Sequence, residues 1–231
     1  MSSVLITGAN RGLGLEFAVE YAAEGWEVFA ACRNPAKAEP LHQLLRGTGS
    51  KTSIVAMDVT NRESIRNASI QLKDAAIDVL INNAGIGGPR GQTTGNVDYK
   101  AWDHVLDVNT IGPLRVLEAF TEQLARSERK LVVTISSGMA SIADNTSGGS
   151  IPYRSSKAAV NMVMRSAAID LAPRDITCVV ISPGWVKTDM GGPSARLTPH
   201  QSVSAMRSLI ERLGPADSGK FLHYDGREYL W

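Results

Sequence analysis

The 231 residues are 43% hydrophobic and 20% charged, enough apolar side chain to bury one substantial core. Lys plus Arg number 24 against 23 Asp plus Glu, and the net charge of +1 gives no electrostatic footprint for nucleic acid or an anionic membrane. Cys32 and Cys178 form no CxxC pair and the four histidines no HExxH-like cluster, so neither a disulfide framework nor a metal site is expected.

The chain opens "MSSVLITGAN", without a basic region and apolar run of leader type, and no apolar stretch approaches twenty residues. A soluble, cytoplasmic protein is therefore expected. From there short β-branched runs alternate with amphipathic stretches. "SVLITG" is followed by the helical pattern "GLGLEFAVEYAAEG", then the strand-like "EVFAAC" and "TSIVAMDV". "NRESIRNASIQLKDA" reads as helix, "IDVLINNAG" as strand, "GPLRVLEAFTEQLARSE" as helix and "KLVVTISS" as strand. "SKAAVNMVMRSAAIDLA" and "ITCVVISPG" close the series as helix and strand. Met162 and Met164, two apart on that last helix, are both expected to pack. Continuous rather than alternating apolar strands mean burial on both faces. The expectation is an α/β fold: one doubly wound, Rossmann-type parallel sheet flanked by helices on both faces, spanning residues 1–231 as a single domain. Ligands of such folds bind beyond the carboxyl ends of the strands.

The first strand ends in "TGANRGLG", so Gly8, Gly12 and Gly14 stand just before a helix. Glycines let the backbone approach a pyrophosphate, and the helix N-terminus supplies free N–H groups. A tight strand-to-helix turn is the plainer alternative; the position favours phosphate. An NAD site usually carries an acid at the end of the second strand, to accept from the ribose hydroxyls. Here Cys32 and Arg33 occupy that neighbourhood. Arg33, with Arg11 in the glycine turn, suits a 2′-phosphate instead, which favours NADP(H).

Tyr153 and Lys157, in "YRSSK", lie one helical turn apart on one face. A free phenol titrates near 10, and an ammonium beside it would bring it toward working pH, where proton transfer is efficient.

The ordered set "TGANRGLG", "MDVT", "NNAG", Asn109, "ISS", "YRSSK" and "PGWVKTDM" resembles the short-chain dehydrogenase/reductase family over residues 7–190. Within it, "PGWVKTDMGG" and "GKFLHYDGREYLW" are similar to the branch of sniffer carbonyl reductases and C-factor. The resemblance implies a cofactor site of Gly8, Asn10, Arg11, Gly12, Leu13 and Gly14, with Arg33, Asp58 and Val59 around the adenine end. Asn82, Ala84 and Gly85 would line the ribose, and Pro183, Gly184, Val186 and Thr188 the nicotinamide end. Tyr153 and Lys157 would also touch the cofactor. Tyr153 is implied as general acid and Ser137, rather than Ser136, as donor to the substrate carbonyl. Asn109 would hold a relay water on its backbone carbonyl; its plainer reading is a helix-breaking residue beside Gly112-Pro113.

Met139, Trp185 and Met190, with Ile142, are candidates for an apolar substrate pocket, though packing serves Trp185 equally well. Residues 190–208 are the expected lid. The leading expectation is reduction of a small-molecule ketone, aldehyde or quinone by NADPH. The alternative is an NADP(H)-binding signalling or regulatory protein of C-factor type with little turnover. The retained set Asn109, Ser137, Tyr153 and Lys157 favours the enzyme. The apolar faces of the two long helices fit a homo-oligomer seam, dimer or tetramer, and a monomer's own core about equally.

Overall fold

The β-branched runs pair side by side because each is apolar on both faces and needs a helix layer above and below. The computed structural model describes residues 2–47 and 51–231. Strands Ser3–Thr7 (β1), Glu27–Cys32 (β2), Thr52–Ala56 (β3), Val79–Asn82 (β4), Leu131–Ile135 (β5), Thr177–Ser182 (β6) and Phe221–His223 (β7) are all parallel. They form one sheet in the order β3-β2-β1-β4-β5-β6-β7. The order reverses between β1 and β4, and the crevice beyond their carboxyl ends is where such sheets take ligands.

Helices Gly12–Ala23 (α1), Glu39–Gly47 (α2), Arg62–Gln71 (α3), Tyr99–Leu106 (α4), Gly112–Ala125 (α5), Ile151–Asp170 (α6) and Pro199–Arg212 (α7) cover the sheet. Two apolar cores result, one per face. Val116, Leu117 and Phe120 of α5 pack with Val160 and Met164 of α6 on one side; Phe17 and Tyr21 of α1 pack with Met206 and Ile210 of α7 on the other. This is the doubly wound architecture expected from the strand pattern. Among the described residues no helix is long and apolar enough to cross a membrane.

Three details differ from the sequence reading. Helix α6 begins two residues before the Tyr153 at which it was expected to start, at Ile151, with Pro152 in its first turn, so Tyr153 and Lys157 occupy its first two turns. Residues 190–208 are not all lid: from Pro199 they are α7, started by a reciprocal Thr198–Gln201 capping box, with Val203 and Met206 wholly buried. Of the two methionines, Met164 is buried but Met162 is 66% exposed, because α6 turns position 162 away from the sheet.

Candidate active site

The glycine turn is built for a close approach. Gly8 and Gly12 have φ of +66° and +55°, a conformation that costs a side-chain-bearing residue but not glycine. A Cβ on Gly14 would overlap the Gly8 carbonyl oxygen. Arg11 is the N-cap of α1 with extended backbone; it provides no side-chain cap, and the first turn carries no acid. The first N–H groups of α1, with the helix dipole behind them, thus suit an anion. Asn10 is exposed at this turn, while Leu13 sends its side chain toward the α1/α7 core.

The turn is braced from β4. Thr7 Oγ1 accepts from the N–H groups of Asn83 and Ala84, each at 3.0 Å, and Asn83 Nδ2 donates to the Thr7 and Gly8 carbonyls at 2.9 and 3.2 Å. Asn82, expected at the cofactor, points elsewhere. It is buried, its Nδ2 donating to the Pro113 carbonyl at 3.3 Å, because alternation along β4 turns successive side chains to opposite faces. Thr7 and Asn83 are the residues the sequence reading gave no role at the site, although both lie inside the quoted motifs "TGANRGLG" and "NNAG".

At the adenine end Arg33 is exposed after β2 and has no ion-pair partner among the described residues. Asp58 Oδ1 accepts from Thr60 N–H and Oγ1 at 2.9 and 2.7 Å, which fixes the carboxylate after β3. Val59 turns its side chain into the core, where a Cβ on Gly112 would come within 3.1 Å of it. Arg11, expected to add a second positive group to Arg33, has an acid beside it. It forms an ion pair with Asp189, tying the glycine turn to the loop after β6. In that loop Thr188 lies against the turn: a Cβ on Gly12 would be 3.5 Å from its Cγ2. Pro183 accepts from Ser202 Oγ at 2.7 Å, and Val186 is buried, bridged to Leu197.

The chemistry-bearing residues meet between β4, β5 and α6. Ser137 follows β5 in extended backbone, its hydroxyl close enough to the Tyr153 phenol to favour the phenolate. Ser136 faces the core, its Oγ donating to Asn161 Oδ1 at 2.6 Å, so the two serines are separated by direction. Lys157 is buried; its Nζ donates to the Ile135 carbonyl at 2.8 Å and lies 5.9 Å from the Tyr153 ring centroid. Burial pushes the Lys157 ammonium down to about 8. Desolvation pushes the Tyr153 phenol above its ordinary value, and the Ser137 hydroxyl offsets part of this. The expected lowering of Tyr153 by Lys157 is therefore absent here. The ammonium is committed to a carbonyl of β5, and the phenol is itself desolvated.

Asn109 does not break its helix. It sits in a π-turn, Asp107–Ile111, that joins α4 to α5. Its side chain accepts from Ile86 N–H at 2.8 Å and donates to the Ile86 carbonyl and Ser156 Oγ at 2.8 and 3.0 Å. Four residues on, Pro113 has no N–H for the Asn109 carbonyl. π-turns of this kind recur at functional sites. A Cβ on Gly85 would lie 3.3 Å from Asn109 Oδ1 and 3.5 Å from Lys157 Nζ, so glycine keeps that space open. Anion-ready helix N-terminus, exposed Arg33 and this open space together fit a phosphorylated dinucleotide.

Of the substrate candidates, Met139 stands two residues after Ser137 and its N–H donates to Ser137 Oγ at 3.1 Å. Met190 lies across Gly87, where a Cβ would be 3.5 Å from its Cγ. Trp185 is half-exposed, its Nε1 donating to the Gly191 carbonyl at 2.8 Å. Ile142 lies outside this cleft, 76% exposed, in a groove shared with Met162 and Trp231 on the outer side of α6.

The family model of short chain dehydrogenases matches residues 2–197. The chain is 44% identical over 155 residues to C-signal of Myxococcus xanthus, covering 67% of this chain and 93% of that protein. The carbonyl reductase Sniffer of D. melanogaster superposes with a TM-score of 0.92 at 34% identity, covering 100% of both chains. An NADPH-bound carbonyl reductase from chicken fatty liver gives 0.92 at 37% identity over 100% of this chain and 99% of that one. The chain belongs to the short chain dehydrogenase family of oxidoreductases.

Proposed function

We propose that this protein reduces a carbonyl group, of a ketone, aldehyde or quinone, to an alcohol with NADPH. One observation carries the reading: a Ser137–Tyr153 pair stands over a buried lysine beside an uncapped, glycine-turned helix N-terminus. The N–H groups of Gly12, Leu13 and Gly14 would hold the pyrophosphate, Arg33 the 2′-phosphate and Asp58 the adenine side. Ala84, Gly85, Gly184, Thr188 and Lys157 would hold the nicotinamide end. The NADP(H)-bound carbonyl reductases among the structural relatives support this choice of cofactor. When bound, NADPH supplies the hydride that the carbonyl carbon takes.

The chain's own residues manage the proton. Ser137 donates a hydrogen bond to the carbonyl oxygen as negative charge develops there. Tyr153 gives that oxygen its proton. A phenol held above its ordinary value stays protonated at neutral pH, which keeps the acid loaded. The phenolate left behind is stabilised by the Ser137 hydrogen bond and by the Lys157 charge. Lys157, at about 8, can return a proton, with water on the Asn109 carbonyl as the route from solvent. Reduction is therefore expected to slow as pH rises past about 8, because Lys157 loses its charge there.

The test is NADPH oxidation against a panel of ketones, aldehydes and quinones, comparing Ser137→Ala with Ser136→Ala. Loss of a carbonyl-polarising donor should lower kcat by about 10²–10³-fold at position 137. Ser136→Ala, behind the site, should cost far less. A larger loss at Ser136 would refute the assignment. The likeness to C-signal supports a second reading, a cofactor-binding regulatory protein with little turnover. NADPH binding without reduction of any panel member would favour it.

A further inference from the structure

Ser137 caps a short helical turn, Gly138–Ala140, against which residues 221–231 are laid. After β7 the chain reverses: His223 N–H donates to the Arg227 carbonyl at 2.7 Å, and Leu222 bridges antiparallel to Glu228. Tyr229 then crosses Gly138. Beyond it the Trp231 carbonyl accepts from the N–H groups of Ile142 and Ala143 at 3.2 and 3.1 Å.

Tyr229 is held on several sides. Its N–H donates to the Phe221 carbonyl at 2.8 Å, its ring stacks on Phe221 at 4.8 Å, and His223 meets it edge-on at 5.4 Å. A Cβ on Gly138 would come within 2.7 Å of the Tyr229 hydroxyl oxygen and 3.2 Å of its Cζ. Gly138 is not among the glycines of positive φ, so its missing side chain answers to space against Tyr229 and not to backbone conformation.

We propose that Tyr229, seated on Gly138, is a positioning residue for Ser137, and that segment 228–231 braces the whole turn 137–143. This rests on the carbonyl-polarising role given to Ser137 above. The turn is anchored before Ser137 by the Ser136–Asn161 hydrogen bond and after it by Trp231. Between those anchors the Gly138–Tyr229 contact sets where the serine hydroxyl stands. Because the Phe221 stack keeps the ring from swinging aside, a methyl at 138 must move the turn instead of the tyrosine.

The experiment is a suppressor pair, read by kinetics and by amide hydrogen exchange over residues 139–143. Gly138→Ala should lower kcat about 30-fold, since an ångström of misplacement can cost about 10²-fold, with NADPH affinity within about twofold. Exchange at 139–143 should quicken. Tyr229→Phe removes the nearest atom and keeps the stack; alone it should hold kcat within about threefold. In the Gly138→Ala background it should restore most of the lost kcat and slow the exchange again. Wild-type kcat and exchange in Gly138→Ala would overturn the brace, as would a double variant no better than Gly138→Ala. Restored exchange without restored kcat would overturn the positioning role alone. If the wild-type protein turns nothing over, the reductase reading fails, and exchange, which needs no turnover, still decides the brace.

Discussion

Arg33 is exposed after β2 with no ion-pair partner among the described residues, whereas Arg11 is paired with Asp189. The two arginines looked equivalent in sequence; partners 178 residues apart were needed to separate them. Arg33→Ala is expected to weaken NADPH by about 10–100-fold, the worth of one or two hydrogen bonds to a charged group, while NADH changes little. Titration of both cofactors checks this, and equal losses would contradict it. Lys157 gives a prediction of opposite sign for stability. Its folded value of about 8 lies below the ordinary 10.5, so the native protein binds fewer protons than the unfolded chain between those limits. Stability should therefore rise with pH across that window, and the full cost of the buried ammonium is present below it. Lys157→Met should be more stable at pH 7 by about 3 kcal/mol, with activity lost, and the gain should vanish near pH 10.5. Denaturant midpoints measured against pH test both parts. The Tyr153–Lys157 spacing was legible in the sequence. The raised phenol was not, because desolvation belongs to the assembled cleft.

The junction of α4 and α5 shows what a motif leaves out. Beside its relay role, Asn109 next to Gly112-Pro113 had a helix break as its alternative reading; the structure continues the helix through a π-turn instead. The three Asn109 side-chain hydrogen bonds hold Ile86 and Ser156, while Pro113 withholds the donor its carbonyl would otherwise meet. Pro113→Ala would supply that N–H. It should lower kcat about 10-fold, within the range of proton-transfer contributions, and leave NADPH affinity unchanged. Steady-state kinetics with a cofactor titration separate the two effects. Strands were the most legible elements, since runs such as "LVVTI" and "TCVVIS" are buried on both faces throughout. Helix α7 was not, because Gly, Pro and Ser before it read as loop and its buried stripe is short. At the end of β4, a one-residue alternation separated Asn83 at the site from Asn82 in the core.

Across the whole molecule, α7 is docked on α1 by a charged seam. Buried Arg207 pairs with Glu24, approaches Glu20 and Glu211 at 3.6 and 3.7 Å, and lies 4.4 Å above the Tyr21 ring. His200 adds contacts to Glu16 and Glu20 at 3.2 and 3.1 Å. Replacing Arg207 by Met leaves Glu20 partly buried without its cation and should destabilise by about 2–4 kcal/mol, lowering Tm by several degrees. This seam was not legible, since residues so distant in sequence are brought together only by the sheet order. The doubly wound order itself was, and it gathers the glycine turn, the β4 end, the Ser137 turn and α6 at one edge. The central claim is that Tyr153, at that edge, supplies the proton in NADPH-dependent carbonyl reduction. The most direct measurement is the rate of NADPH oxidation by wild type and Tyr153→Phe on one reducible carbonyl, with NADPH affinity measured for both. Loss of the positioned acid should cost at least about 10²–10⁴-fold in kcat, with cofactor affinity within about twofold. Turnover retained in Tyr153→Phe would contradict the account.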